Sequence, residues 1–122
     1  MKREIILAVA VVLMTISLSS FNHGLPQQHQ HDQTPGETHA ELLVSGSCGM
    51  CKTRIETTAK KISGVSSANW DAEKKQLHLQ FDASKTSLDN IGKAIAEVGH
   101  DNNLYKADDD VYNALPGCCQ YR

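Results

Sequence analysis

At 122 residues, with 40% hydrophobic and 21% charged residues and a net charge of −2, the chain fits one domain and carries no charge excess that would specify a partner. Its Lys and Arg residues are dispersed and its few aromatics, 5% of the chain, are not interleaved with them, which sets nucleic acid aside as a partner. Four cysteines permit either disulfides or a thiolate metal site, and composition alone leaves both open.

Residues 1–20 read as a signal peptide. Lys2 and Arg3 make a basic start, Ile5 to Leu18 are almost wholly apolar, and Ser17, Ser19 and Ser20 supply small side chains for cleavage. The alternative is an uncleaved anchor, but the apolar run is shorter than the ~20 residues needed to cross a bilayer. No cysteine lies just after it for lipid attachment, so a lipoprotein anchor is not expected. The expectation is a periplasmic or secreted protein of the cell envelope, without membrane insertion once the signal is removed. Residues 21–39, rich in Gln, His, Pro, Gly and Thr, have no apolar period and read as a flexible linker. Its histidines, His23, His29, His31 and His39, either collect divalent copper or zinc weakly or only keep the tract soluble.

The folded part is expected over residues 40–107. Residues 41–44 suit a short strand, and Cys48 to Cys51 fall in the loop that leads into a helix over 51–62, where Ile55, Ala59 and Ile62 recur at helical spacing before Gly64. Residues 65–72 and 76–82 alternate as two strands of a hairpin around Ala72-Glu73-Lys74-Lys75. His78 then faces away from Leu77 and Leu79, on the exposed side. A second helix over 87–98 carries Leu88, Ile91, Ile95 and Val98 and ends at Gly99, and Leu104 and Tyr105 suit a final edge strand. The order βαββαβ predicts an α+β, ferredoxin-like sandwich with two helices on one face of a four-stranded antiparallel sheet. A domain of this size buries only ~60% of its chain surface and is marginal without a staple.

The position of the thiol pair gives it a chemistry. A thiolate at a helix N-terminus gains from unpaired backbone N–H groups and the positive end of the helix dipole, which lowers its pKa and favours the form that binds metal. Cys51 sits there, and Cys48, with the flexible Gly49 after it, can turn its sulfur to the same point. Two soft ligands with an open side suit copper(I), whereas zinc prefers four ligands in a closed structural site.

Gly46-Ser47-Cys48-Gly49-Met50-Cys51-Lys52-Thr53-Arg54-Ile55-Glu56, followed by Gly64-Val65, resembles the heavy-metal-associated domain of copper chaperones, of copper-transporting P-type ATPase amino-terminal modules and of periplasmic mercury-binding proteins. The resemblance spans residues 40–107. It implies that Cys48 and Cys51 ligate the metal and pass it to a partner by thiolate exchange through a shared three-coordinate intermediate. Two positions depart from that pattern. Gly46 stands where a Met is common, and His100 stands where the loop after the second helix commonly has an aromatic or Lys and approaches the metal. His100 is thus a candidate third ligand or a group that tunes exchange, against the commoner solvated loop His. Met50 is read as an apolar loop side chain rather than a thioether ligand. Lys52 and Arg54 either offset the charge of a dithiolate centre or are solvated.

A thioredoxin-like redox protein also places C-x-x-C at a helix start, so a thiol-disulfide redox protein is the competing reading. Against it, no Trp adjoins Cys48, and the only proline from residue 40 onward is Pro116. Residues 108–122 form a C-terminal extension that the minimal family domain lacks. Adjacent cysteines seldom bond to each other, so Cys118 and Cys119 are open to a disulfide with Cys48 or Cys51, a bond between molecules, or a role as added ligands, and are expected either as added ligands or a redox cover, with Val111, Tyr112 and Leu115 docking the segment, or as free thiols on a mobile tail. A closed site of four thiolates would shift the preference toward zinc or a small copper cluster. Asp108 to Asp110 reads as a solvated acidic turn. The sequence thus points to a non-enzymatic metal carrier or sequestering protein. Its cargo is copper(I) first and zinc(II) or mercury(II) second, its partner a metal-transporting protein or efflux component, and its state a monomer or metal-bridged dimer. An accessory docking domain of a heavy-metal efflux system is the third reading.

Overall fold

The structure, a computed structural model, describes residues 36–122. The signal peptide, the first part of the linker and its His23, His29 and His31 lie outside the described residues. Strand β1 (Glu37–Leu43) leads through the Cys48 loop into helix α1 (Gly49–Lys60); β2 (Val65–Asp71) and β3 (Gln76–Asp82) follow, then α2 (Leu88–Glu97), the short α3 (Asp109–Asn113) and a 3-10 turn (Gly117–Cys119). Strand β3 is central, with β1 and β2 antiparallel on either side.

The register explains the core. Leu42 stands opposite Leu77 and Ala40 opposite Leu79, while from the other side Trp70 faces Leu77 and Ala68 faces Leu79. One face of the sheet is therefore apolar and takes the helices, the other carries Glu41, His78 and Asn69. His78 is exposed as expected, with Nδ1 3.2 Å from the Glu41 carboxylate. Helix α1 buries Cys51, Ile55 and Ala59 completely, a stripe at four-residue spacing; α2 buries Ile91, Ile95 and Ala96. Ser87 caps α2, its hydroxyl accepting from the Asn90 N–H at 3.2 Å.

Two boundaries differ from the sequence reading. Strand β1 begins at Glu37 rather than near residue 40, because β3 offers pairing partners along its whole length: Glu37 meets Asp82, Thr38 meets Phe81 and His39 meets Gln80. The fourth strand at Leu104 and Tyr105 is not formed among the described residues, and the sheet there has three strands. A single bridge, Val44 with Asn102, stands at that edge. The cause is local. The Asn102 side-chain carbonyl accepts from the Leu104 and Tyr105 N–H groups at 3.1 and 3.0 Å and turns the chain away from β1, a competition with sheet pairing that asparagine commonly wins. Leu104 is left half exposed.

This edge still positions the Cys48 loop. The Ser45 N–H donates to the Asp101 carbonyl at 2.8 Å and the Val44 N–H to the Lys75 carbonyl at 2.8 Å, so the backbone just before Cys48 is held from both sides.

Candidate metal centre

Helix α1 starts at the thiol pair. Cys48 is its N-cap residue in an extended conformation, without a side-chain cap, and its first turn holds no acid. The free N–H groups of that turn are therefore offered to whatever negative charge the loop carries. Cys51 is fully buried and its sulfur accepts from the Ser47 N–H at 3.4 Å. The Cys48 sulfur is half-buried, 3.6 Å from that of Cys51.

Two further sulfurs close on the same point. Cys118 Sγ lies 2.9 Å from Cys48 Sγ and Cys119 Sγ lies 3.5 Å from it, with 3.9 Å between Cys118 and Cys119. Cys48, Cys118 and Cys119 are all within 4.8 Å of one another. All four cysteines are free thiols. Met50, half exposed, brings its thioether 3.6 Å from Cys118 at the mouth of the cluster, so it packs on the incoming segment.

Segment 108–122 is docked rather than mobile. Tyr112, Leu115 and Cys119 are buried in the core, while Val111 stays at the surface. Gly99 receives Leu115: it has φ of +101°, which favours glycine, and a Cβ there would stand 2.9 Å from a Leu115 methyl. The Tyr121 hydroxyl donates to the Gly99 carbonyl and accepts from the Asp101 N–H, both at 2.6 Å. Arg122 grips the Asp101 carboxylate with two contacts at 3.1 and 2.8 Å, reaches Asp109 at 2.5 Å and the Ala107 carbonyl at 2.9 Å, and lies over the Tyr112 ring. The Ser47 hydroxyl donates to the Cys118 carbonyl beside the sulfurs. The acidic turn is thus partly engaged, through Asp109. Tyr121, Arg122, Asp101 and Ser47 are not legible as site residues in the sequence: each takes its role from a partner at least 20 positions away, and for Ser47 the neighbouring Cys48 is the only hint.

His100 is not a solvated loop residue. It is fully buried, its Nδ1 lies 2.9 Å from the Ser45 carbonyl, and the Tyr121 ring stacks on it at 5.6 Å. Because a carbonyl only accepts, Nδ1 carries the proton and a neutral ring leaves Nε2 a bare lone pair, which finds no hydrogen-bond partner among the described residues. Burial, opposed by the Ser45 carbonyl, holds its pKa below the usual imidazole value. The closely spaced sulfur group does not include it, and its visible contacts tie the loop before Cys48 to the docked segment. Lys52 is committed elsewhere, to Glu56 at 2.7 Å and to the Trp70 carbonyl at 2.7 Å. Arg54 buries Nη1 without a hydrogen-bond partner among the described residues.

Gly46, the departure from the family pattern, has a steric reason. A Cβ there would stand 3.0 Å from both the Trp70 ring and Cys51 Cβ. Trp70 is buried beneath the loop, donating from Nε1 to the Val44 carbonyl at 3.0 Å. The indole occupies space that a side chain at 46 would need.

The electrostatics single out Cys48. Its thiol is pulled from 9.0 down to about 6, chiefly by the hydrogen bond with Cys118, against desolvation, with help from the Cys51 N–H and the other two thiols. Cys118 and Cys119 move the opposite way, Cys118 through its bond to the Cys48 sulfur and Cys119 through burial. One thiolate is thus shared among protonated neighbours. The sign follows: between about 6 and 9.0 Cys48 is an anion in the fold and neutral in the unfolded chain, so it favours the fold most above 9.0 and loses that contribution as pH falls through about 6. Iodoacetamide should alkylate the metal-free protein at Cys48 with a half-maximal rate near pH 6, read by peptide mass mapping. A midpoint near 9.0 would show that the neighbouring thiols do not hold the thiolate.

Comparison with known proteins agrees with the sequence. The profile of the heavy-metal-associated domain matches residues 42–101. The copper chaperone CopZ of Staphylococcus aureus strain JH9 is 39% identical over 61 residues, 49% of this chain and 90% of its own length. Among solved structures, a CopZ metallochaperone aligns with a TM-score of 0.52 at 36% identity, over 53% of this chain and 98% of that one. Oxidized MerP from Ralstonia metallidurans CH34 aligns with a TM-score of 0.53 at 29% identity, over 55% of this chain and 94% of that one. Cys118 and Cys119 lie beyond the residues that the family profile matches.

Proposed function

The chain belongs to the heavy-metal-associated domain family, and from that membership we propose that it carries a soft metal ion on Cys48 and Cys51, copper(I) ahead of mercury(II) or zinc(II). The observation that carries this reading is the pair of sulfurs 3.6 Å apart at an uncapped helix start, one buried and one accessible. The buried thiol fixes the ion to the domain, and the accessible one leaves a side from which ligands can exchange. Its relatives named as copper chaperones support copper, and the thiolate donors support the monovalent state, since soft sulfur ligands select it. The basic start and apolar run of residues 1–20 support export to the cell envelope, where the ion would pass to or from a metal-transporting protein without chemical conversion.

Titration of the fully reduced chain with copper(I) against a chromophoric chelator tests this, with zinc(II) and mercury(II) in parallel arms. One tightly held copper(I) per chain is expected. No binding, together with turnover of a disulfide substrate, would replace the carrier by the redox reading.

A further inference from the structure

We propose that segment 108–122 is a docked cap that completes a closed metal site, with Cys118 and Cys119 joining Cys48 and Cys51 as ligands of one ion. The proposal rests on the carrier reading for the first two ligands and adds the other two from geometry. With metal–sulfur bonds of about 2.3 Å, two sulfurs in line across an ion stand about 4.6 Å apart and four in a tetrahedron about 3.8 Å apart. The contacts here are 3.5, 3.6 and 3.9 Å, with Cys48 to Cys118 closer at 2.9 Å. Cys48, Cys118 and Cys119 are thus spaced for three sulfurs around one centre, while Cys51, 3.6 Å from Cys48, stands outside that mutually close trio and would join the shell as the sulfurs gather on an ion. The pair alone would have to spread by about 1 Å to hold an ion in line.

The cap is built independently of any ion. Cys119 is fully buried, Leu115 fills the space left by Gly99, and Tyr121 and Arg122 bind Gly99 and Asp101 directly. The same two residues flank His100, which holds Ser45 and so the start of the thiol loop. Cap and loop are therefore positioned by one short stretch of backbone, residues 99–101. A soft ion entering past the exposed Cys118 and Met50 displaces thiol protons to solvent and meets a shell of sulfur on all sides. Such a shell leaves no open coordination position for a partner, so the capped domain retains its ion and releases it when the cap lifts.

The decisive measurement is X-ray absorption fine structure of the copper(I)-loaded full chain, with chelator competition on the same samples. A shell of three to four sulfurs is expected. In Cys118→Ser/Cys119→Ser it should fall to two, with affinity lower by about tenfold or more, since even groups that only orient ligands are worth 10–100-fold. Cys119 is buried, so if the double variant fails a circular dichroism check, the exposed Cys118→Ser alone should lose one sulfur from the shell. A wild-type shell of two sulfurs, or an unchanged shell and affinity in the variants, overturns the cap while leaving the carrier reading intact. Absence of copper(I) binding in the wild type overturns both.

Discussion

Cys48→Ser is expected to weaken copper(I) binding by about a thousandfold or more, roughly 4 kcal/mol, while leaving the fold in place. The sulfur of Cys48 is the hub of the cluster: it is the one recorded within 3.6 Å of each of the other three. It is also the thiol whose charge the site stabilises, and a serine hydroxyl is a hard, poorly ionised replacement for a soft thiolate. Because Cys48 is only half-buried, its loss removes little packing. Cys51→Ser is a less clean experiment. That sulfur is fully buried at the edge of the core and accepts from the Ser47 N–H, so the change replaces a buried sulfur by a smaller, more polar hydroxyl and mixes a stability loss with the binding loss. Chelator competition with a parallel urea melt separates the two. Copper(I) affinity in Cys48→Ser within tenfold of wild type would remove this residue from the site.

The largest effect on stability is expected at Trp70. Replacing it with alanine should cost about 3–5 kcal/mol, the usual range for emptying a buried aromatic, in a domain whose whole stability is of order 5–15 kcal/mol. Trp70 packs opposite Leu77 on β3, donates to the Val44 carbonyl and fills the floor under Gly46. Its backbone is braced as well, with the N–H donating to Glu56 at 2.8 Å and the carbonyl accepting from Lys52. Removing the ring therefore opens a cavity, leaves the Val44 carbonyl without its donor and takes away the surface on which the thiol loop rests. Trp70→Phe keeps most of the packing and should lose roughly 1 kcal/mol for the hydrogen bond, plus a smaller cavity cost. Urea denaturation followed by circular dichroism checks both. An alanine variant that unfolds at the wild-type midpoint would mean the loop is supported from elsewhere.

How much of this was legible in the sequence depends on the range of the contact. Ile55 and Ala59, or Leu77, Leu79 and Phe81, announce their elements by spacing alone, because helix and strand periodicity are properties of neighbours. Cys48 and Cys51 announced the site for the same reason. The edge at Asn102 departs from the sequence pattern because Leu104 and Tyr105 look like a strand, whereas a side-chain amide two and three residues earlier captures their N–H groups. Docking of the last segment was foreshadowed by Tyr112 and Leu115 but not by Tyr121 or Arg122. A polar residue carries no mark of which distant acid or carbonyl it will meet, and Asp101 looked like any loop acid. The reason for Gly46 was equally hidden, since only the fold brings the indole beneath it.

The sulfurs of Cys48 and Cys118 come from positions 70 residues apart along the chain. An ion shared between them therefore acts as a cross-link, and the unfolded chain would have to keep a loop of that length closed for as long as the ion stayed bound. By the chain-entropy reckoning used for disulfides, closing such a loop disfavours the unfolded state by about 4 kcal/mol. For a domain of this size, with a small core, the proposed ion would then also be a staple. On the proposed four-sulfur site, loading would make the protein harder to melt and harder to digest than the metal-free form.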